Sequence, residues 1–346
     1  MENTGFQKQL KRIINRIIFF GAFIIILAGG FLCANYGVFQ SDAQISEADY
    51  FNQFPITSSI DLLDNSPLNR EIKYGFELFK NTPKYIGPEN GDSTKVYAGN
   101  NLSCNNCHLY AGTKPYSAPL IGVVDRFPQF RGRENKMGTI AERINGCMER
   151  SMNGKMMPED SREMQAIIKY MDWLGSFAES KGKFEGRGFT SITIPERAVN
   201  LDHGEQIFST ICAACHGKDG QGLQFKNSLV YQYPPLWGDD SFNNGSGMNR
   251  VITAAQFIKS NMPYGATFEE PVLSDEEAYD VAGYINQQLR PKKPNSEIDF
   301  PDLKRKPVST PYPPYVDDFS IHQHQLGPFQ PIMAYYKLNY GITKTK

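Results

Sequence analysis

The chain has 346 residues, 40% of them hydrophobic and 21% charged, which suits two or three globular domains. A formal net charge of −1 argues against a polyanion-binding surface, and no feature points to nucleic acid. Of six cysteines, four fall in two short motifs, so there is no disulfide framework and Cys33 and Cys147 stand apart.

The chain opens with Lys8, Lys11, Arg12 and Arg16 ahead of an uncharged, mostly apolar stretch from Ile17 to Ala34. That pattern keeps the N-terminus cytoplasmic and sends the rest across, so 1–40 reads as a signal peptide or N-terminal membrane anchor. The nearest small-x-small pattern, Ser41-Asp42-Ala43, lies rather far downstream, which favours an uncleaved anchor over a cleaved signal. Cys33 follows Leu32 rather than a small residue, and reads as part of the span rather than a lipidation site. The expected location is the periplasm, tethered to the inner membrane, or soluble there after cleavage. Residues 41–70 read as a polar tether.

Next come two copies of Cys-x-x-Cys-His, Cys104–His108 and Cys212–His216. In this pattern two thiols attach a haem covalently and the following histidine ligates its iron. A zinc ribbon would place its cysteine pairs about 15–20 residues apart, and a dithiol redox pair needs no trailing histidine. Two covalently attached haem c groups are therefore expected, held by Cys104, Cys107, His108, Cys212, Cys215 and His216. Each motif follows a similar segment, Gly75-Phe-Glu-Leu-Phe79 or Gly204-Glu-Gln-Ile-Phe208, read as an amphipathic helix. Each is followed by a Met-Pro pair, Met157-Pro158 or Met262-Pro263, and then a closing helix. The closing helices are expected from Asp160 to Tyr170 and from Ser274 to Tyr284, on capping-box patterns with Glu163 and Glu277.

The fold expectation is mainly α: two class I cytochrome c-like helical modules in tandem, over 71–175 and 197–290, joined by a charged, Gly-containing linker over 176–196. Seven prolines between Pro291 and Pro314 make 291–346 an extended strap, with aromatics that favour packing over disorder. His322 and His324 read as exposed or hydrogen-bonded rather than as iron ligands. His203 reads as preceding its helix and capping it or facing solvent.

The sixth iron ligands set the potentials. For the second haem Met262 is favoured over Met248, because it precedes a proline and leads into the closing helix. For the first haem, repeat logic nominates Met157. Against it stands Cys147, a thiol with Arg143 four residues before, Arg150 three after, and Arg131 and Arg133 upstream. Cations depress a thiol pKa, and guanidinium forks suit sulfonate-like oxygens. A lone cysteine is also often a small buried apolar residue, so both readings stand on the residues alone.

Three stretches resemble the dihaem thiosulfate dehydrogenases, also called tetrathionate reductases. They are Asn101-Leu-Ser-Cys-Asn-Asn-Cys-His-Leu109, Arg143-Ile-Asn-Gly-Cys-Met-Glu-Arg-Ser-Met-Asn-Gly154, and the second haem loop with Met262-Pro-Tyr-Gly265. Tail patterns at Lys306–Tyr312 and Gly327–Pro331 are similar too. The resemblance implies that Cys147 is both the sixth ligand of the first haem and a covalent catalyst. It implies that Arg133, Arg143 and Ser151 line the substrate site, with Met157 demoted to packing. The implied iron ligands are His108, Cys147, His216 and Met262. The implied reaction interconverts thiosulfate and tetrathionate, with electrons relayed by the second haem to a c-type cytochrome or other carrier. Some family members carry a lysine beside the second-haem methionine; here Asn261 is the neighbour and Lys259 is two away, so steady Met262 ligation is expected. The competing reading is a non-catalytic dihaem electron carrier of a respiratory chain. A dihaem peroxidase is weaker, since no residue marks an open iron position facing an acid–base group.

Overall fold

The computed structural model describes residues 11–23 and 45–346. It divides into two units, Met1–Ile45 and Ser46–Lys346. In the first, residues 11–23 are helical (α1). The expected apolar span runs on past residue 23, and Cys33 with it, outside the described residues. Among the described residues no helix is long and apolar enough to cross a membrane.

The second unit begins with a correction to the tether. Residues 47–61 form α2 (Glu47–Asn52) and α3 (Pro55–Asp61). Ser46 accepts a hydrogen bond from the Asp49 N–H, and Pro55 occupies a helix start, where no donor is needed. Tyr50, Phe51, Phe54, Ile56 and Ile60 are all buried. Their apolar area outweighs the polar residues between them. Phe54 packs on Tyr110 of the first haem loop at 4.6 Å between ring centroids, and Tyr50 on Phe225 of the second module at 5.2 Å.

In the first module α4 (Pro67–Lys80) leads to the first haem motif. A short antiparallel hairpin follows, β1 (Gln129–Arg131) with β2 (Lys136–Gly138), and then α5 (Ile140–Met148), which carries Cys147. The closing helix is α6 (Arg162–Leu174). Its cap is Ser161, which accepts from the Met164 N–H, rather than the expected Asp160. The second module repeats the plan. α7 (Leu201–Ile207) runs through a π turn at Phe208–Cys212 into the second motif. A two-stranded ribbon, β3 (Leu223–Gln224) with β4 (Tyr231–Tyr233), precedes α8 (Val251–Asn261) and the closing helix α9 (Asp275–Gln287). Here the expected Ser274–Glu277 capping box is present in both directions.

Each module is locked where its opening and closing helices cross at a glycine. A Cβ on Gly75 would lie 2.1 Å from the Ala166 carbonyl oxygen and 2.8 Å from Tyr170 Cβ. A Cβ on Gly204 would lie 2.3 Å from the Asp280 carbonyl oxygen and 2.8 Å from Tyr284 Cβ. One turn on, Phe79 meets Tyr170 at 5.7 Å and Phe208 meets Tyr284 at 5.6 Å. The sequence repeat is therefore a repeat of one helix crossing. His203 lies inside α7 rather than ahead of it, its Nδ1 2.9 Å from Asp280 Oδ2.

The tail departs from an extended strap. After turns through its proline-rich part it forms α10 (Ile321–Leu326) and α11 (Gln330–Tyr340). Pro331 sits in the first turn of α11, where proline is tolerated, and Phe329, Ile332 and Tyr336 then join the core of the second module. His324 is buried, with Nδ1 donating to the Val308 carbonyl at 2.7 Å and Nε2 2.9 Å from Asp317. His322 is exposed.

Gly75→Ala is expected to destabilise the protein by about 2 kcal/mol or more, the cost of forcing a methyl into a closed crossing. Thermal denaturation should show it as a fall of several degrees. A pH effect resides at Asp280. Burial raises its pKa, but bonds from Arg197, His203 and the Asn200 N–H outweigh this and leave it lowered. Its contribution is present above the ordinary carboxylate pKa and is lost as pH falls through the depressed folded value. Asp280→Asn should flatten that acid limb in melting temperature measured against pH.

Candidate active site

Two large cavities open on the haem motifs. One is lined by Cys104, Cys107 and His108, the other by Cys212, Cys215 and His216. Their volumes, counted to their open mouths, are ≈ 1130 Å³ and ≈ 1340 Å³. Leu102 and Cys107 line both, so the two cavities share a wall. The histidines are set alike. His108 Nδ1 lies 2.7 Å from the Ala118 carbonyl and His216 Nδ1 2.8 Å from the Pro234 carbonyl. A carbonyl only accepts, so Nδ1 carries the proton and Nε2 keeps its lone pair for a metal. The linker helps hold the first of these loops, since the Ala118 N–H donates to the Gly188 carbonyl at 2.9 Å. Paired thiols, a fixed imidazole and a mainly apolar wall fit a covalently bound haem in each cavity.

Cys147 lines the first cavity together with His108, Arg143 and Ser151. It is placed there by α5, which begins with a Thr139–Glu142 capping box and turns the thiol inward. Arg143 lies one turn earlier on the same face, and its Nη1 donates to Cys147 Sγ at 2.8 Å. Burial acts to raise the Cys147 pKa, but the Arg143 guanidinium hydrogen-bonded to Sγ acts against it and the thiol is left lowered. The motif thiols go the other way: burial pushes Cys104 up to about 11 and Cys107 up to about 12. Cys147 is thus set apart electrostatically as a thiolate.

The remaining expected residues are divided. Ser151 lines the cavity, with Oγ 3.4 Å from Ser246 Oγ of the second module. Arg133 is not among the lining residues: its Nη1 donates to the Gly245 carbonyl at 2.8 Å and pairs with Asp299 at 3.1 Å. Met157 is buried and lines neither cavity, and its backbone N–H and carbonyl are both bonded by the Asn145 side chain. In the second cavity Met262 and Met248 are both lining residues. Lys259 is not, its Nζ being taken by the Leu273 carbonyl at 2.6 Å and Asp275 at 3.3 Å. Lys114 was missed by sequence reasoning: it crosses from the first module to line the second cavity, donating to the Ala266 carbonyl at 2.8 Å. Arg126 and Arg187 of the first cavity and Asp299 were missed too. Nothing local in the sequence marks them, because their partners lie far along the chain.

Two protein-family models match the chain. The SoxA/TsdA cytochrome c domain model matches residues 94–176, and the model for cbb3-type cytochrome c oxidase subunit III matches residues 199–285. A thiosulfate dehydrogenase of Stutzerimonas stutzeri is 40% identical over 223 residues, which is 64% of this chain and 68% of that protein. A second, from Allochromatium vinosum, is 39% identical over 66% of this chain and 82% of that one. The chain belongs to the thiosulfate dehydrogenase family. It is an oxidoreductase acting on sulfur compounds, with two covalent haem c groups. Among solved structures, the thiosulfate dehydrogenase TsdBA of Marichromatium purpuratum superimposes with a TM-score of 0.61 at 33% identity. That match covers 68% of this chain and 49% of the other.

Removing the Met262 thioether is expected to lower one haem midpoint potential by on the order of 100 mV, within the roughly 0.8 V range that axial ligands span. Met157→Leu is expected to leave both midpoints in place. Potentiometric titration of the two variants separates the outcomes.

Proposed function

We propose that the chain interconverts thiosulfate and tetrathionate, with Cys147 as the covalent catalyst and sixth ligand of the first haem. The observation that carries this is the grouping of His108, Cys147 and Arg143 in one cavity, with the guanidinium 2.8 Å from Sγ. His108 and Cys147 would hold the first iron, and His216 and Met262 the second. When bound, the haems supply one-electron acceptors that pass electrons outward.

The residues' own chemistry balances in two steps. The Cys147 thiolate bonds to the terminal sulfur of thiosulfate, two electrons leave, and a Cys–S–S–SO₃⁻ adduct remains. The terminal sulfur of a second thiosulfate then attacks the substrate-derived sulfur bonded to Cys147 Sγ. That breaks the Cys147 S–S bond, releasing tetrathionate and the thiolate. Splitting the coupling this way replaces one difficult step by two displacements. The obstacle is electrostatic. A dianion about 5 Å from the adduct's sulfonate is repelled by roughly 7 kcal/mol at an effective dielectric near 20. Arg143 in the cavity, and Arg133 beside it, offset that repulsion, and Ser151 offers a hydroxyl to a sulfonate oxygen. Tetrathionate reduction is the reverse.

The wall shared by the two cavities supports relay from the first haem to the second, and from there to a periplasmic or membrane c-type cytochrome or other carrier. The basic residues ahead of Ile17 support a periplasmic site of action, and the distance to Ser41-Asp42-Ala43 supports an uncleaved tether to the inner membrane.

Cys147→Ala should lose turnover by on the order of 10³-fold or more while keeping both haems attached. Low-temperature EPR of the oxidised protein should show a low-spin histidine/thiolate signal that this variant lacks. Retained turnover, or two histidine/methionine signals unchanged by the substitution, would favour a plain electron carrier.

A further inference from the structure

One loop of the first module reaches the candidate ligands of both irons. Residues 114–118 follow the first haem motif, and at one end the Ala118 carbonyl accepts from His108 Nδ1 at 2.7 Å. At the other end the loop meets the segment that carries Met262 and touches it on both flanks. Lys114 Nζ donates to the Ala266 carbonyl, four residues after Met262, at 2.8 Å. Asn261, immediately before Met262, donates from Nδ2 to the Tyr116 carbonyl at 3.1 Å. The Tyr116 ring lies 4.4 Å from that of Phe268.

The methionine segment has little else to order it, since of residues 264–272 only Ala266 is buried. The loop that grips it is stiff. Tyr116 and Ala118 take left-handed backbone, at φ 56° and 53°. Their N–H groups are fixed to the Gly186 and Gly188 carbonyls of the linker at 2.6 and 2.9 Å. Such conformations persist in residues other than glycine only where the surroundings over-determine them.

Lys114 makes the strongest of the contacts. It is buried and lines the second cavity, and its ammonium also stands 5.2 Å over the Tyr110 ring. Burial alone pushes it down to about 8, with no carboxylate acting to raise it. A buried ammonium is costly unless bonded, and a cation bonded to a carbonyl is held more firmly than a neutral donor. Releasing Ala266 would strand that charge, so the contact resists opening.

We propose that Lys114 and Tyr116 are positioning residues for the second haem, holding Met262 where it can ligate the iron. The inference rests on the reading of Met262 as that ligand and deepens it: the second ligand set is completed from the first module. A thioether favours reduced iron over oxidised iron. Its hold on the oxidised haem therefore depends on how little order its segment must still gain. Lys114 supplies that order in advance. Because the same loop seats His108, the histidine of one iron and the methionine of the other share one backbone support.

The test uses the oxidised dihaem protein, read by the charge-transfer absorption band of a ferric histidine/methionine haem and by potentiometric titration. Lys114→Met should shift ferric haem about tenfold from methionine-bound towards methionine-free, the scale of one charge-assisted hydrogen bond. The second midpoint should fall while the first stays in place. Lys114→Arg, which keeps a cationic donor, should restore part of both. Phe268→Ala removes a partly exposed ring and should act in the same direction by a smaller factor. It carries the test if Lys114→Met does not accumulate with both haems. Met262→Leu should abolish the band. If it does, and neither Lys114→Met nor Phe268→Ala alters band or midpoint, whatever their melting temperatures, the clamp is overturned and Met262 ligation stands. If the band survives Met262→Leu, the ligand reading falls and the clamp falls with it.

Discussion

Everything at the site depends on one close contact made twice, the crossing of an opening helix over a closing helix at a glycine. With Gly75 against Ala166 and Gly204 against Asp280, backbones approach more closely than any side chain would allow. That approach fixes the direction in which each chain leaves its opening helix for the Cys-x-x-Cys-His loop. The loops then need only a carbonyl, from Ala118 or Pro234, to orient the histidine. The two cavities are alike because their frames are alike.

What differs is what each frame is given to hold. Both cavities have thioethers in their walls, Met148, Met152 and Met171 in the first and Met248 and Met262 in the second, but only the first also holds a thiol outside the two haem motifs. Soft neutral donors suit steady electron transfer. In the first module α5 brings a thiol to the cavity with an arginine on its own face. A thiolate is soft enough for iron and nucleophilic enough for sulfur, and the guanidinium stabilises its charge in either role. The same repeated fold thus frames one cavity with a cation-paired thiol and one without.

The chain's outer segments are part of this arrangement. The segment from Ser46 brings Tyr50 and Asp49's helix across to Phe225, and the tail brings Asp299 and Tyr312 to the arginines of the first module. Long-range pairing of this kind ties the two modules together. It also means that the arginines around Cys147 are not equivalent: Arg143 faces the thiol, while Arg133 and Arg150 answer to Asp299.

The sequence by itself determined the haem motifs and the repeated modules. These are local facts: motif spacing, i to i+4 periodicity and capping residues act within a few residues of one another. It misread 47–61 as tether because a short, aromatic-rich pair of helices has no stability alone and shows its purpose only against its partners. It misread the tail past Phe329 because the dense prolines upstream concealed that Pro331 stands at a helix start. Only the tertiary structure decided that Met157 lies away from the first cavity and that Arg133 and Arg150 are held by Asp299. Arg133 and Arg150 lie 166 and 149 positions from Asp299, and no local pattern encodes the distance between two side chains brought together by packing.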